Sequence, residues 1–233
     1  MPNWVENHLC LNGEPEQIHK LMETVQMDRF GLGTIDFNKI IPMPESLNIE
    51  SGSRTIDGLK AYKAYISVFT LGGTINMDKL LNPPPESEKA FLDKRTDIDP
   101  DVFQLGKQAY QNQLLYGAKD WYDWCNLYWN TKWNACGYED GHDYSQGDCL
   151  WFQTAWDRPE PVIEKLSEMF PDIEMTHDFA NEDYSQSSGS VTYLAGRVID
   201  EYYPIDDEEA RSFAMSVWGW EDEDQTMEME DFT

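Results

Sequence analysis

The sequence predicts an α+β fold: a ferredoxin-like antiparallel sheet with helices on one face, a mostly helical insertion, and an acidic C-terminal tail. Three observations carry that prediction. Short segments of strand-like composition lie near both ends of the chain, with helices that are apolar on one face placed between them. The middle lacks strand patterning and is broken by Pro83-Pro84-Pro85. And 10 Phe, 9 Trp and 12 Tyr in 233 residues supply core-forming rings that a disordered acidic chain lacks.

The elements follow in order. Residues 4–11 have strand content and stop at the turn pair Asn12-Gly13. Glu14-Pro15-Glu16 opens a helix, since proline fits the first turn and acids suit the positive end of the dipole. Ile18, Leu21, Met22 and Val25 follow at helical spacing. Gly31 to Gly33 breaks this helix, and residues 35–41 read as a short strand closed by Pro42-Met43-Pro44. In the insertion, at about 45–120, segments 56–69 and 102–116 are the better helices. Residues 121–135 are dense in aromatic rings, and 149–156 read as a strand. Asp157-Arg158-Pro159-Glu160-Pro161 starts a helix bearing Val162, Ile163, Leu166 and Met169-Phe170, which Pro171 ends. Segments 173–179 and 190–199 are two further strands, joined by the polar loop 181–189.

The resulting order is β-α-β, insertion, β-α-β-β. Several connections are too short for parallel crossovers, which favours an antiparallel sheet. Residues 1–203 therefore read as one ferredoxin-like domain with its insertion, and 204–233 as an acidic helix and tail. In that helix residues 206–209 supply the cap, and Ala210, Phe213, Ala214, Val217 and Trp218 share a face. Docking in cis is favoured over insertion into a partner's groove.

Charge bounds the function. The chain has 44 Asp and Glu against 17 Lys and Arg, a net of −27. Residues 1–133 hold 18 acids and 13 bases, residues 134–199 hold 13 and 3, and residues 200–233 hold 13 and one, Arg211. Such a field repels phosphate and anionic lipid, so direct nucleic-acid binding and membrane-surface binding are not expected. Residues 1–7 have neither the basic nor the apolar region of a secretory leader. The apolar run 66–71 is too short to span a bilayer. Cys10, Cys125, Cys136 and Cys149 show no framework spacing, so the expectation is a cytoplasmic protein with free, mostly buried thiols.

Met1-Pro2-Asn3-Trp4 with Glu6-Asn7, then Phe37-Asn38-Lys39-Ile40-Ile41-Pro42-Met43-Pro44, resembles the start of the YubB-like (Api-type) family of phage and plasmid proteins. Trp121-Tyr122-Asp123-Trp124, Asn130-Thr131-Lys132-Trp133-Asn134-Ala135 and Phe152-Gln153-Thr154-Ala155-Trp156 continue the resemblance, as do Pro159, Pro161-Val162-Ile163 and Phe170-Pro171. These blocks lie in order across about residues 1–200; the insertion and everything after about 200 fall outside them. Val5 stands where the family often has Cys, and Asn130 where it often has Gly. The resemblance implies a ferredoxin-like domain and carriage on a mobile genetic element. It brings no established activity and no catalytic residues.

No catalytic, cofactor or metal site is assigned. Cys125, Cys136, His142 and Cys149 are separated by gaps of 11, 6 and 7 residues, without the close pair that a zinc site uses. Asp97-Ile98-Asp99-Pro100-Asp101 lacks the glycine and the terminal Glu of a calcium loop. Gly31-Leu32-Gly33 and Gly72-Gly73 lack the rest of a phosphate fingerprint. Trp121, Trp124, Trp129 and Trp218 are candidate contact rings, weighed against a packing role that is favoured for the 121–133 cluster.

The expected function is therefore a non-enzymatic accessory protein of a phage or plasmid. It would engage a host protein that has a basic, nucleic-acid-binding surface, in one form by imitating nucleic acid to inhibit a defence system of the restriction or CRISPR type. Its candidate acidic face comprises Glu139, Asp140, Asp143, Asp148, Glu182, Asp183, Asp206, Asp207, Glu208 and Glu209. The alternatives are a metal-binding protein or enzyme of unread chemistry, and an oligomeric module joined through a sheet edge.

Overall fold

A computed structural model describes residues 3–70, 76–138, 145–184 and 186–220. The chain divides into two compact units, Met1–Pro42 with Tyr128–Thr233, and Met43–Leu127. In chain order the described elements are β1 (Trp4–Asn12), α1 (Pro15–Val25), α2 (Ser53–Thr70), α3 (Met77–Leu81), α4 (Pro85–Leu92), α5 (Pro100–Tyr116), α6 (Trp121–Tyr128), β2 (Ser145–Gln146), β3 (Cys149–Ala155), α7 (Glu160–Met169), β4 (Glu174–Asn181), β5 (Ser188–Leu194), β6 (Arg197–Tyr202) and α8 (Asp207–Trp218).

The first unit is built on one antiparallel sheet in the order β2-β3-β1-β4-β5-β6. β3 and β4 flank β1 on either side, so β3-α7-β4 is a split β-α-β unit, the signature of a ferredoxin-like sheet. One face carries Val5, Leu9, Leu150, Phe152, Met175, Phe179, Val191 and Tyr193, all at most 2% exposed. α1 adds Ile18, Leu21, Met22 and Val25, and α7 adds Val162, Ile163 and Leu166. This is one core, layered as the alternation of the strands requires.

Two predicted strands differ from what forms. Segment 35–41 is not a strand: it makes a single 3₁₀ turn at Phe37–Lys39. Its backbone is held by side chains in place of a ladder, with the Ile35 N–H donating to Tyr138 Oη (3.1 Å), the Phe37 N–H to Asn134 Oδ1 (2.8 Å) and the Asn38 N–H to Asp36 Oδ1 (2.9 Å). Ile35, Phe37 and Ile40 are buried there, which gives a strand-like apolar pattern without a strand. Segment 190–199 is two strands, β5 and β6, because Ala195 (φ 51°) and Gly196 (φ 72°) turn the chain between Leu194 and Arg197. Two consecutive positive φ values are the geometry of the tight hairpins whose twist matches that of the strands.

The expectation of four free thiols is also corrected: Cys10 and Cys149 are joined by a disulfide, their Cα atoms 4.0 Å apart. The Leu11 N–H bonds Asp148 O, which makes Cys10 and Cys149 the next, non-hydrogen-bonded pair of the β1-β3 ladder. That is the pair in which facing Cβ atoms come closest. Cys125 lies outside the bridge and is buried, its thiol pushed up to about 12 by burial; Cys136 also lies outside it, half-buried, with its thiol donating to Gln153 O at 3.3 Å. Among the described residues no helix is long and apolar enough to cross a membrane.

At the centre of the sheet lies a buried polar set. Asn7 Nδ2 donates to Val5 O (2.9 Å) and Thr154 Oγ1 (3.0 Å), so its Oδ1 is left to face His177 Nε2 at 3.0 Å. His177 is therefore the neutral Nε2–H tautomer, and its buried Nδ1 has no hydrogen-bond partner among the described residues. Burial, then the charges of Arg158 and His8, lowers its pKa from 6.5 to about 3. The unfolded chain then takes up a proton below about pH 6.5 that the folded chain refuses. Stability should be fully present above that pH and fall on acidification, by at most about 1.4 kcal/mol per pH unit from this group. Denaturant unfolding from pH 7.5 to 4.5, compared between the natural chain and His177→Gln, checks this. An identical pH slope in the two proteins would contradict it.

The second unit is helical, with a core of Tyr62, Tyr65, Ile66 and Phe103 and with Phe69, Leu80, Phe91 and Tyr110 packed against it. α2 and α5 meet at Gly58 and Gly106, where a Cβ on Gly106 would lie 1.9 Å from Gly58 O and one on Gly58 would lie 2.1 Å from Val102 O. The backbones touch there. The acids of the 97–101 motif serve local structure: Asp99 caps α5 by accepting the Asp101 N–H (2.8 Å), and Asp97 pairs with Arg95.

Candidate functional site

The sheet face opposite the core is polar and partly open. Strand alternation puts Glu6, His8 and Cys10 of β1 on it, and register sets them against Gln153, Trp151 and Cys149 of β3. Each pair makes a different contact. Gln153 Nε2 donates to Glu6 Oε2 (3.0 Å), the His8 and Trp151 rings stack with centroids 4.6 Å apart and planes at 19°, and the cysteines are bonded. His8 Nε2 also lies 3.6 Å from Glu6 Oε1. Across β4 the rows continue with Ala180, Asp178 and Thr176.

α8 docks in cis on this face. Asp206 accepts the Glu209 N–H (2.9 Å), and Glu209 reaches back to the Ile205 N–H (2.7 Å), which together fix the helix start. Ala214 and Val217 pack with Ala180, and the Trp218 indole N–H donates to Ala180 O at 3.0 Å. Gly219, at φ 65°, ends the helix. Between the last turn of α8 and the strands lies a cleft of about 520 Å³, lined by Glu6, His8, Trp151, Gln153, Ser216 and Trp218 among others. Glu6 and His8 keep 15% and 17% of their side-chain surface in solvent, enough to be reached from the cleft and too little to be fully hydrated.

The acids predicted as a face are placed as follows. Glu139, Asp140 and Asp143 lie outside the described residues. Glu182 and Asp183 follow β4 at the Trp4 end of the sheet, where Glu182 Oε1 accepts the Trp4 N–H (3.1 Å). Asp206 and Asp207 line a hollow with Tyr184, Gln186 and Ser187, so the start of α8 and the β4-β5 loop adjoin. Glu208 shares the first turn of α8. Asp148 is not with them. It lies opposite Leu11, at the other end of β1, on the order of 20 Å away by strand rise. Asp206 and Glu209 are spent on the cap, whereas Asp207 and Glu208 project from it.

Of the candidate rings, Trp124 and Trp129 are 3% and 2% exposed. The Trp129 indole N–H donates to Ile41 O (3.0 Å), and its ring meets Phe37 edge-on. Burial removes both from any contact surface. Trp121 is half-buried on α6 beside Tyr122. Trp218 alone of the four lines the cleft. The four-ligand zinc set loses Cys149 to the disulfide, and His142 lies outside the described residues. Glu6, His8, Trp151 and Gln153 escaped sequence reading. Their signal was the alternation in β1, where Trp4, Glu6, His8 and Cys10 sit between Val5, Asn7, Leu9 and Leu11; their grouping needed the register.

Residues 126–233 match a family model described as a ferredoxin-like domain in Api92-like protein. This match supports the Api-type resemblance and agrees with the sheet described above. The crystal structure of a protein api92 from Yersinia pseudotuberculosis is similar at 13% identity, over 88% of this chain and 99% of that one, with a TM-score of 0.41. No curated protein matches the chain.

Proposed function

We propose that this protein binds the basic, nucleic-acid-binding surface of a host protein through acids held on its sheet-bearing unit, with nucleic-acid mimicry in a phage or plasmid anti-defence role as the specific form. The observation that carries this reading is how the charge is partitioned. The sheet unit, Met1–Pro42 with Tyr128–Thr233, holds 32 acids against 8 bases, while Met43–Leu127 holds 12 against 9. A charge kept for solubility alone has no reason to concentrate on one unit. Carboxylates on a capped helix and a short loop keep their spacing, and a spaced array can stand in for phosphates and speed encounter with a basic cleft.

The test starts from a partner captured from the natural host and repeated as a purified pair. Raising the salt from about 0.05 to 0.5 M should weaken binding at least tenfold, because exposed pairs are screened over such distances. The triple variant Asp183→Asn/Asp207→Asn/Glu208→Gln, which spares the capping acids, should weaken it further at low salt and flatten the salt dependence. Affinity indifferent to both salt and the variant would refute the electrostatic reading. An unchanged yield of phage or plasmid in defended cells expressing the protein would refute the anti-defence form.

A further inference from the structure

We infer that the cleft between α8 and the β1-β3 strands receives an arginine side chain of the partner, stacked on the cleft rings with its guanidinium turned to Glu6; this rests on the reading of a basic partner given above. Three features of the cleft select that occupant. Its walls are planar rings: Trp151 with His8 stacked on it, and Trp218 on the helix side. A delocalised planar cation stacks on such rings, whereas a compact, strongly hydrated ammonium gives up more water to do so. At its floor Glu6 is a largely enclosed carboxylate whose contacts among the described residues are one amide donor, Gln153 Nε2 at 3.0 Å, and His8 Nε2 at 3.6 Å. Two contacts leave acceptor capacity on a carboxylate, which offers about four lone-pair sites. A guanidinium fork fits such a carboxylate better than a single ammonium does.

The remaining feature is size and charge together. About 520 Å³ holds a long side chain with its flanking backbone, and lies within the range of pockets that bury small ligands. The described residues of the unit around it hold 22 acids against 8 bases, which disfavours an anionic or nucleotide occupant. Gln153 and Glu6 are fixed by facing one another across a strand pair, so the acceptor is positioned before anything binds.

The experiment uses the full chain labelled with 5-fluorotryptophan and followed by ¹⁹F NMR, with resonances assigned from single Trp→Phe variants. The probes are three capped Gly-Ser heptapeptides carrying one central arginine, lysine or citrulline. The arginine peptide should shift the Trp151 and Trp218 signals saturably and bind about five- to tenfold more tightly than the lysine peptide. Citrulline, planar but uncharged, should bind more weakly still. Glu6→Gln, nearly isosteric, should abolish the arginine preference while leaving the other tryptophan signals in place, which also shows that the variant is folded. Equal binding of arginine and lysine, shifts confined to other tryptophans, or an unchanged preference in Glu6→Gln would each overturn the inference. The triple variant Asp183→Asn/Asp207→Asn/Glu208→Gln separates the two ideas. If it weakens partner binding while Glu6→Gln does not, the acidic-surface reading stands and the arginine cleft falls; if neither matters, both fall.

Discussion

Gly106→Ala is expected to destabilise the helical unit by about 2 kcal/mol or more, against the direction in which helix propensity points. In the interior of a helix, alanine for glycine is worth up to about 1 kcal/mol in favour of the variant. Here the new methyl would lie 1.9 Å from Gly58 O and 2.6 Å from Leu59 N, and both neighbours are backbone, so no side chain can swing aside. α2 and α5 would have to separate, loosening the packing of Tyr62 and Phe103, which lie on these two helices with rings 5.2 Å apart. Overpacking of this kind costs about 1–3 kcal/mol and sometimes more, which outweighs the propensity gain. Denaturant unfolding with hydrogen exchange of α2 and α5 amides measures it. A neutral or stabilised variant would show that the helices do not cross at backbone contact. Gly58→Ala should behave in the same way.

Breaking the Cys10–Cys149 bridge should cost the sheet unit about 3 kcal/mol. The bond spans 139 residues of sequence and ties β1 to β3. Cross-links over long loops stabilise chiefly by restricting the unfolded chain, commonly by about 2–4 kcal/mol. Cys10→Ser/Cys149→Ser, or dithiothreitol, should lower the midpoint of the sheet unit's transition by roughly 5–10 °C. Thiol titration gives an independent reading. The native chain should offer Cys136 readily and Cys125 slowly, since burial holds the Cys125 thiol far from ionisation. Four titratable thiols in the native, unreduced protein, or no shift on reduction, would rule the bridge out.

How much of this was readable beforehand depended on whether the deciding interactions were local. The helices that start at Pro15 and Glu160 carry their caps, breakers and apolar stripes within about a dozen residues, and they form where expected. So does α8, whose Asp206 cap and Gly219 stop are both written into the chain. Segment 35–41 failed because Tyr138 and Asn134, about a hundred residues away, satisfy its backbone. The β5-β6 turn failed because Ala195 takes a positive φ that nothing in its residue type announces. The bridge and the cleft are both products of the β1-β3 register, which joins residues about 140 to 150 apart; a list of cysteines or acids holds no such pairing. The charge partition was visible as a gradient along the chain, but its boundary became clear only once Met1–Pro42 joined the acidic second half.

The position of β1 also sets a timetable for synthesis. Its two ladder partners, β3 and β4, begin at Cys149 and Glu174, so the innermost strand of the sheet is made long before either neighbour exists. At about 5–20 residues per second, that interval is on the order of ten seconds or more. The residues of the helical unit, Met43 to Leu127, are all made within it, and α2 and α5 both belong to that unit. Val5, Leu9 and Leu11 are therefore made that long before the two strands that flank them, with only α1 of the same core following directly behind.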